Sequence, residues 1–288
     1  MKQAVGTLYV VGTPIGNLGD LSSRARDVLR VVELIACEDT RRTRGLLSSI
    51  GVSTRLTAYH EHNEVEVTPK LLKHLERGRS VALVCDAGTP LISDPGLELV
   101  RSAQACEIRV TTIPGPNAAV AGLSIAGLAT NRFVFEGFLP RKQGPRQAVL
   151  ETLRFEPRTM VFYESVHRLK STLQALGQVF GELRPAVLVR EITKIHESLY
   201  RGSLGDLFGR LNRDIPLKGE FVVLVAGVLK QRSADEAEAE KIFRLLVQQV
   251  SASVAVELTA AITGLSRNAV YRITRLRQAN PKHPHPKG

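Results

Sequence analysis

Val81-Ala-Leu-Val-Cys-Asp-Ala-Gly-Thr-Pro-Leu-Ile-Ser-Asp-Pro-Gly96 sets four apolar residues directly before a dozen that are small, polar or turn-forming. A short apolar run bounded by turn residues reads as a buried parallel strand, and the dozen residues after it read as a loop. In an open α/β sheet, ligands lie beyond the carboxyl ends of strands, and Gly88 and Gly96 let backbone come close to a bound molecule. Pro90 and Pro95 stiffen the loop. Asp94-Pro95 offers an acidic cap followed by proline at a first helical position, so a helix is expected to begin there. Taken alone, the stretch is equally an ordinary connection between a strand and a helix.

Two further segments repeat the pattern. Leu8-Tyr-Val-Val-Gly-Thr-Pro-Ile-Gly-Asn17 and Val110-Thr-Thr-Ile-Pro-Gly-Pro-Asn117 each run from a short apolar strand into a Gly/Pro loop, and each precedes a helical pattern. Three such loops in one parallel sheet gather at one edge and form a crevice for a small molecule. None has the Gly-x-Gly-x-x-Gly spacing, and no Gly-Lys-Ser/Thr follows any of them. The expected ligand therefore makes backbone contacts without a pyrophosphate.

The 288-residue chain is 43% hydrophobic and 23% charged, an ordinary soluble composition with room for two domains. No run of about eighteen apolar residues suggests a membrane span, and the first residues show no signal-peptide core, so a cytoplasmic location is expected. Cys37, Cys85 and Cys106 have no metal-like spacing and read as reduced core thiols, so no metal is expected. The net charge is +11. Basic residues cluster at Arg41, Arg42 and Arg44, at Arg141, Lys142 and Arg146, and beyond Ser266, where Arg267, Arg272, Arg275, Arg277, Lys282 and Lys287 meet no acid. Each cluster alone is an ordinary solvated face, whereas three together favour a nucleic-acid partner.

From Thr7 to Ile113 strands and helices alternate. Strands are expected over Leu8 to Val11, Leu34 to Cys37, Leu56 to Tyr59, Val81 to Val84 and Ile108 to Ile113. Helices are expected over Leu21 to Val31, Thr40 to Ser49, Glu64 to Arg77 and Gly96 to Cys106. That is a doubly wound α/β domain, residues 1–117. After a helix over Ala118 to Leu128, five more strands follow, near Arg132 to Phe138, Thr159 to Tyr163, Ala186 to Ile192, Glu197 to Arg201 and Glu220 to Val225. The close pair before and after Lys194 pairs antiparallel, so residues 118–230 form a second α/β domain with a mixed sheet. The ligand cleft is expected between the two. Lys230 to Lys241 reads as a charged linker into a third, helical piece, residues 231–288. There Gly264 and Ser266 separate two helices in the manner of a helix-turn-helix, the second offering Arg267, Arg272 and Arg275 to phosphates. A hairpin that only packs against the enzyme or a dimer partner fits the same pattern. The terminal His-Pro-His-Pro-Lys-Gly is expected to be disordered.

Gly12-Thr-Pro-Ile-Gly-Asn-Leu-Gly-Asp20, Glu38-Asp-Thr-Arg-Arg-Thr-Arg44, Tyr59-His-Glu-His-Asn63, Asp86 to Gly96, Ile113-Pro-Gly-Pro-Asn117 and Phe162-Tyr-Glu-Ser165 stand here in one order. Together they resemble the ribosomal RNA small-subunit methyltransferase I family, a branch of the tetrapyrrole methylase superfamily, from about Thr7 to Gly227 and on into the helical tail. The resemblance implies a class III, tetrapyrrole-methylase-like fold of two α/β domains with a helical extension. It implies S-adenosylmethionine as cofactor and methylation of a cytidine ribose 2′-hydroxyl in the decoding region of 16S ribosomal RNA. It further implies a cytoplasmic homodimer acting on small-subunit ribosomal RNA or the assembled small subunit. Carried over by motif, donor binding falls to Pro14, Ala87, Gly88, Thr89, Ile92, Asn117, Ala118, Tyr163, Glu164, Ala226 and Gly227. Tetrapyrrole-modifying relatives carry an acid where this chain has Thr89. That departure and the basic charge argue against the alternative of a tetrapyrrole-type small-molecule methyltransferase. Another alternative, an S-adenosylmethionine-sensing nucleic-acid-binding protein, would make the helical tail the working part.

A ribose hydroxyl is a poor nucleophile and needs a general base or a cation beside the developing alkoxide. Candidates at the expected cleft are Asp39, Arg41, Arg42, His60, Glu61, Asp94, Glu164, Arg190, Glu191 and Lys194. Arg41 and Arg42 read as phosphate or alkoxide partners, Glu164 as a base or a buried structural carboxylate, and Lys194 as a base of lowered pKa. With Arg41, Arg42, Arg44, Arg141, Lys142, Arg267, Arg272 and Arg275 as RNA contacts, the base itself stays unassigned.

Overall fold

In the computed structural model, which describes residues 5–228 and 234–278, the first half of the chain alternates strand and helix as its hydrophobic pattern demands. Strands β1 (Thr7–Val11), β2 (Leu34–Cys37), β3 (Leu56–Ala58), β4 (Val81–Val84) and β5 (Arg109–Ile113) form one sheet in the order β3-β2-β4-β1-β5. Every pairing in it is parallel. Helices α1 (Ser23–Val31), α2 (Thr40–Ser49), α3 (Glu64–Glu76) and α4 (Leu97–Ala105) connect the strands. Successive strand residues point to opposite faces. Val11, Ile35, Cys37, Ala82, Val84 and Ile113 accordingly pack under α1 and α2, while Leu8, Ala36, Val81 and Leu83 pack under α3 and α4. This is the doubly wound arrangement, and β4, central in the order, is buried along its whole length.

Helix α4 begins later than Asp94-Pro95 suggests. Ser93 has φ 69° and Gly96 has φ 133°, so the chain is still turning at those residues, and Gly96 occupies the cap position. The acid at Asp94 is thereby left in the loop instead of capping the helix.

Helix α5 (Ala118–Ala126) opens the second half, ended by Gly127 in the left-handed region. Strands β6 (Phe133–Phe138), β7 (Thr159–Ser165), β8 (Pro185–Arg190), β9 (Ser198–Ser203) and β10 (Glu220–Val225) form a second sheet, ordered β6-β7-β10-β8-β9. Only β6 and β7 are parallel; β10 runs antiparallel to both β7 and β8, and β8 pairs antiparallel with β9. Three helices not anticipated from the sequence, α6 (Gln143–Thr152), α7 (Val166–Phe180) and α8 (Leu204–Gly209), cover one face over Met160, Phe162, Leu188 and Val223. On the other face α5 buries Ala119, Leu123 and Ala126 against Val161, Val187, Val222 and Leu224. Ile15, from the loop after β1, enters this same cluster. The α/β halves therefore share packing and make one compact unit that ends at Gly227.

A second unit runs from Val228. Its first helix, α9 (Ala234–Leu246), begins inside the stretch expected as linker and runs on beyond Lys241, because Ala, Glu and Lys there are strong helix formers. Helix α10 (Ala252–Thr263) stops at Gly264 in the left-handed conformation, and Ser266 accepts a hydrogen bond from the Ala269 amide at 3.2 Å at the start of α11 (Arg267–Gln278). Turn and cap fall at the residues named from sequence. The C-terminal stretch expected to be disordered lies outside the described residues. Among the described residues, no helix is long and apolar enough to cross a membrane.

Candidate functional site

The three Gly/Pro loops follow β1, β4 and β5, which are neighbours in the first sheet, so parallel strands deliver all three to one edge. Backbone ties them together. Thr13 donates its amide to the Gly88 carbonyl at 2.8 Å and the Gly88 amide donates back to Thr13 at 3.1 Å. The Thr89 hydroxyl donates to the Pro116 carbonyl at 3.2 Å, and the Asn117 side chain caps α5 by accepting from the Val120 amide at 3.1 Å. Gly88 sits at φ 90°, where a side chain is strained, and Leu91 at φ 73° and Ser93 at φ 69° carry such strain in the same loop.

Between these loops and the second sheet lies a cavity of about 390 Å³. Its size is that of a pocket for one small ligand. The backbone stretch Ala87, Gly88 and Thr89 forms one side, together with Ile15, Ile92, Ser93, Asn117 and Ala118. Phe138, Tyr163, Glu164, Val189 and Ile192 face it from the second sheet. Three carboxylates, Glu38, Asp86 and Asp94, share one wall. Burial, with the charges of Asp86 and Asp94 added, raises the Glu38 carboxyl above the ordinary range. Asp94 is also raised, by burial first and then by Asp86, against the lowering effect of a hydrogen bond with Cys85. A cation bound here relieves that repulsion.

Asp86 is a brace. One oxygen accepts the Asp39 amide at 3.0 Å and the other pairs with Arg42 at 3.2 Å. Glu38, by contrast, has no hydrogen-bond or ion-pair partner among the described residues. Across the cavity, Lys194 pairs with Glu191 at 2.8 Å and Glu220 at 2.9 Å. Burial pulls the Lys194 pKa down, but these two carboxylates outweigh it and the net shift is upward. A lysine held as a cation does not accept a proton at neutral pH, so the expected base of lowered pKa is corrected. Glu164 is only 2% exposed and its oxygens are engaged. They accept from the Ser165 amide at 2.8 Å and the Thr172 hydroxyl at 2.6 Å, with Arg168 at 3.5 Å. Of the two sequence readings for Glu164, this geometry is that of the structural carboxylate.

Ala87, Gly88, Thr89, Ile92, Asn117, Ala118, Tyr163 and Glu164, with Arg42 and Lys194, thus come together around one cavity. Pro14 does not line it, and its neighbour Ile15 does. Arg41 is turned aside: its guanidinium pairs with Asp39 at 2.9 Å, and it holds that carboxyl down at about 2. Ala226 and Gly227 are at the wrong end of the second sheet. Because β10 is antiparallel to β7 and β8, its first residues, Glu220 to Val222, reach the cavity and its last ones leave it. Ala226 instead donates its amide to Pro185 at 2.9 Å, and Gly227 packs its backbone on Pro157 with no room for a Cβ. Of the other cations, Arg44, Arg141, Lys142 and Arg272 are exposed, Arg267 pairs with Glu257 at 2.6 Å, and the Arg275 side chain is outside those described.

Glu38, Phe138 and Glu220 line the cavity and escaped the sequence reading. The signal for Glu38 was present, since it follows β2 at the same carboxyl edge as the three loops. Phe138 ends β6, another strand of that orientation, while Glu220 needed the direction of β10.

Residues 7–207 match the family Tetrapyrrole (Corrin/Porphyrin) Methylases, and residues 233–274 match the RsmI C-terminal HTH domain. Ribosomal RNA small subunit methyltransferase I of Xylella fastidiosa strain Temecula1 is 49% identical over 92% of this chain and 98% of its own length. The protein of that name from Escherichia coli O157:H7 is 46% identical, covering 93% of this chain and 94% of its own. That of Pseudomonas aeruginosa is 46% identical over 96% and 99%. Among solved structures, uroporphyrin-III-C-methyltransferase from Thermus thermophilus superposes with a TM-score of 0.54 at 24% identity, covering 77% of this chain and 94% of that one. A diphthine synthase superposes with a TM-score of 0.57 at 15% identity, covering 77% and 90%. At these identities the structures share the fold.

Proposed function

Because the chain belongs to the tetrapyrrole methylase family, in its ribosomal RNA small-subunit methyltransferase I branch, we propose that the cavity binds S-adenosylmethionine and serves methylation of small-subunit ribosomal RNA. In its finer form, the acceptor is a cytidine ribose 2′-hydroxyl in the decoding region. The reading includes a cytoplasmic homodimer that works on the RNA or the assembled subunit.

The observation that carries it is the pairing of an acidic wall with a backbone-lined one. S-adenosylmethionine has a sulfonium and an ammonium but no phosphate. Asp94, with Asp86 beside it, suits the cations, and the turn at Ala87 to Thr89 offers backbone groups instead of a phosphate cradle. Ile15, Ile92 and Ala118 supply apolar surface for an adenine, and Asn117 a polar side chain. The residues present therefore fit the donor. When bound, it supplies an activated methyl group for in-line displacement by an oxygen nucleophile.

The protein's part is orientation, exclusion of water and proton transfer. Glu38, unpartnered and with its carboxyl raised, is the group best placed to accept the hydroxyl proton. Arg42, fixed by Asp86 and largely exposed, is available to a substrate phosphate or to the developing alkoxide. Thr89, where tetrapyrrole-modifying relatives carry an acid, and the net charge of +11 favour a polyanionic acceptor. The test compares ribose methylation of small-subunit RNA from cells with and without the protein. Loss at one cytidine of the decoding region is expected, and unchanged methylation at every position overturns the proposal.

A further inference from the structure

Phe138 closes β6 at the rim of the cavity and is 55% exposed, an unusual position for a large aromatic ring. The ring is nevertheless held. Its centroid is 5.6 Å from that of Tyr163 at an interplanar angle of 62°, and Tyr163 meets Phe135 at 5.0 Å and 70°. The Tyr163 oxygen is fixed in turn, accepting the Ala119 amide at 3.1 Å. This is a braced edge-to-face cluster with its outermost ring uncovered.

The chain leaving that ring is basic and fixed. Arg168 donates to the Leu139 carbonyl at 2.6 Å, which pins the loop between Phe138 and α6. Arg141 and Lys142 follow, both exposed and with no ion pair among the described residues. Three to four residues span at most about 14 Å, so the backbone that carries these two side chains stays near the ring. Behind them Arg146 is only 9% exposed, and its Nε lacks a partner. Its Nη1 donates to the Ser171 hydroxyl at 3.5 Å, and among the described residues it has no ion pair with a carboxylate. An exposed aromatic face beside uncompensated positive charge suits a nucleotide, whose base stacks and whose phosphates are anionic.

We propose that Phe138 is the stacking platform for the base of the target nucleotide, with Arg141 and Lys142 holding the flanking phosphates so that the ribose faces the cavity. The inference rests on the ribosomal RNA reading above and assigns the acceptor side of that site. The loop from Asp86 to Asp94 and the turn at Asn117 follow strands of the first sheet and serve the donor, with Ala118 at the start of α5 beside them. Phe138 sits on the edge strand of the other sheet.

The test measures methyl transfer from S-adenosylmethionine to small ribosomal subunits isolated from cells lacking this protein, with donor affinity determined separately by calorimetry. Phe138→Leu keeps apolar bulk and removes the π face, and Phe138→Trp keeps the face. Phe138→Leu is expected to lower kcat/KM for subunits by roughly 5- to 150-fold, the range set by base stacking, with Phe138→Trp near wild type and donor affinity unchanged in both. Wild-type turnover by Phe138→Leu overturns the proposal, as does a loss of donor affinity in step with turnover, which would put the ring against the donor. Failure of the unaltered enzyme to methylate any subunit overturns the ribosomal RNA reading itself.

Discussion

At the scale of single residues, the acidic wall sets the pH behaviour. Glu38 must be ionised to accept a proton, and its pKa is raised by burial and by Asp86 and Asp94. On acidification the rate should fall at a higher pH than an ordinary carboxylate would give, and Glu38→Gln should remove that limb while lowering kcat roughly 100-fold or more. A kcat–pH profile checks this; an unchanged acid limb in the variant would assign the base elsewhere. The same shift has the opposite sign for stability. With its pKa raised by folding, the native state binds the proton more tightly, so stability is lost as pH rises from the unfolded value of a glutamate through the higher folded one. Glu38→Gln is therefore expected to melt above wild type at neutral pH, a gain of stability with a loss of activity. Gly88 gives a second prediction. At φ 90° a β-branched residue is strained by about 1–3 kcal/mol, and a Cβ would come to 3.4 Å from Ile15 beside the donor wall. Gly88→Val should remain folded by circular dichroism and lose donor binding; undiminished affinity would take this loop out of the site.

At the scale of elements, the end of β7 is fastened by one buried carboxylate. Glu164 holds the Ser165 amide, the Thr172 hydroxyl of α7 and Arg168, whose other nitrogen carries the Leu139 carbonyl beyond β6. Removing a buried partner strands the remaining ones, so Glu164→Ala should cost about 3–5 kcal/mol in urea unfolding, with the turnover of the folded fraction much less affected than in Glu38→Gln. Equal stability with collapsed kcat would instead make Glu164 the base. The same element shows what sequence could and could not disclose. Parallel strands place their carboxyl ends together by rule, so Val81 to Val84 and its two companions disclosed an edge, a crevice and most of its lining. Strand β10 obeys no such rule: an apolar run does not disclose its direction in a mixed sheet, and only its pairing with β7 and β8 puts Glu220 at the cavity and Ala226 away from it. Arg41 and Arg42 are likewise adjacent letters on one helix start. The cap at Asp39 draws one guanidinium outward while Asp86, far off in the chain, draws the other to the cavity.

At the scale of the whole molecule, the cavity belongs wholly to the first compact unit. Every residue that lines the cavity, from Ile15 to Val222, precedes Gly227, where the first compact unit ends. The second unit carries Tyr271 and Arg272 exposed on α11, with Arg267 at its start. A chain cut after Gly227 should therefore unfold cooperatively and bind S-adenosylmethionine with the affinity of the full protein. It keeps Phe138, Arg141 and Lys142 but loses the arginines of the tail, so methylation of small subunits should weaken and become less sensitive to salt, by about 0.7 in the log–log slope for each phosphate contact given up. Measuring kcat/KM against salt concentration for both forms separates the two roles open to the tail. Parallel lines with equal intercepts mean that α10 and α11 only pack. A shallower line with donor affinity intact makes the tail part of the RNA surface. Methylation lost together with donor binding would contradict the confinement of the donor site to the first unit.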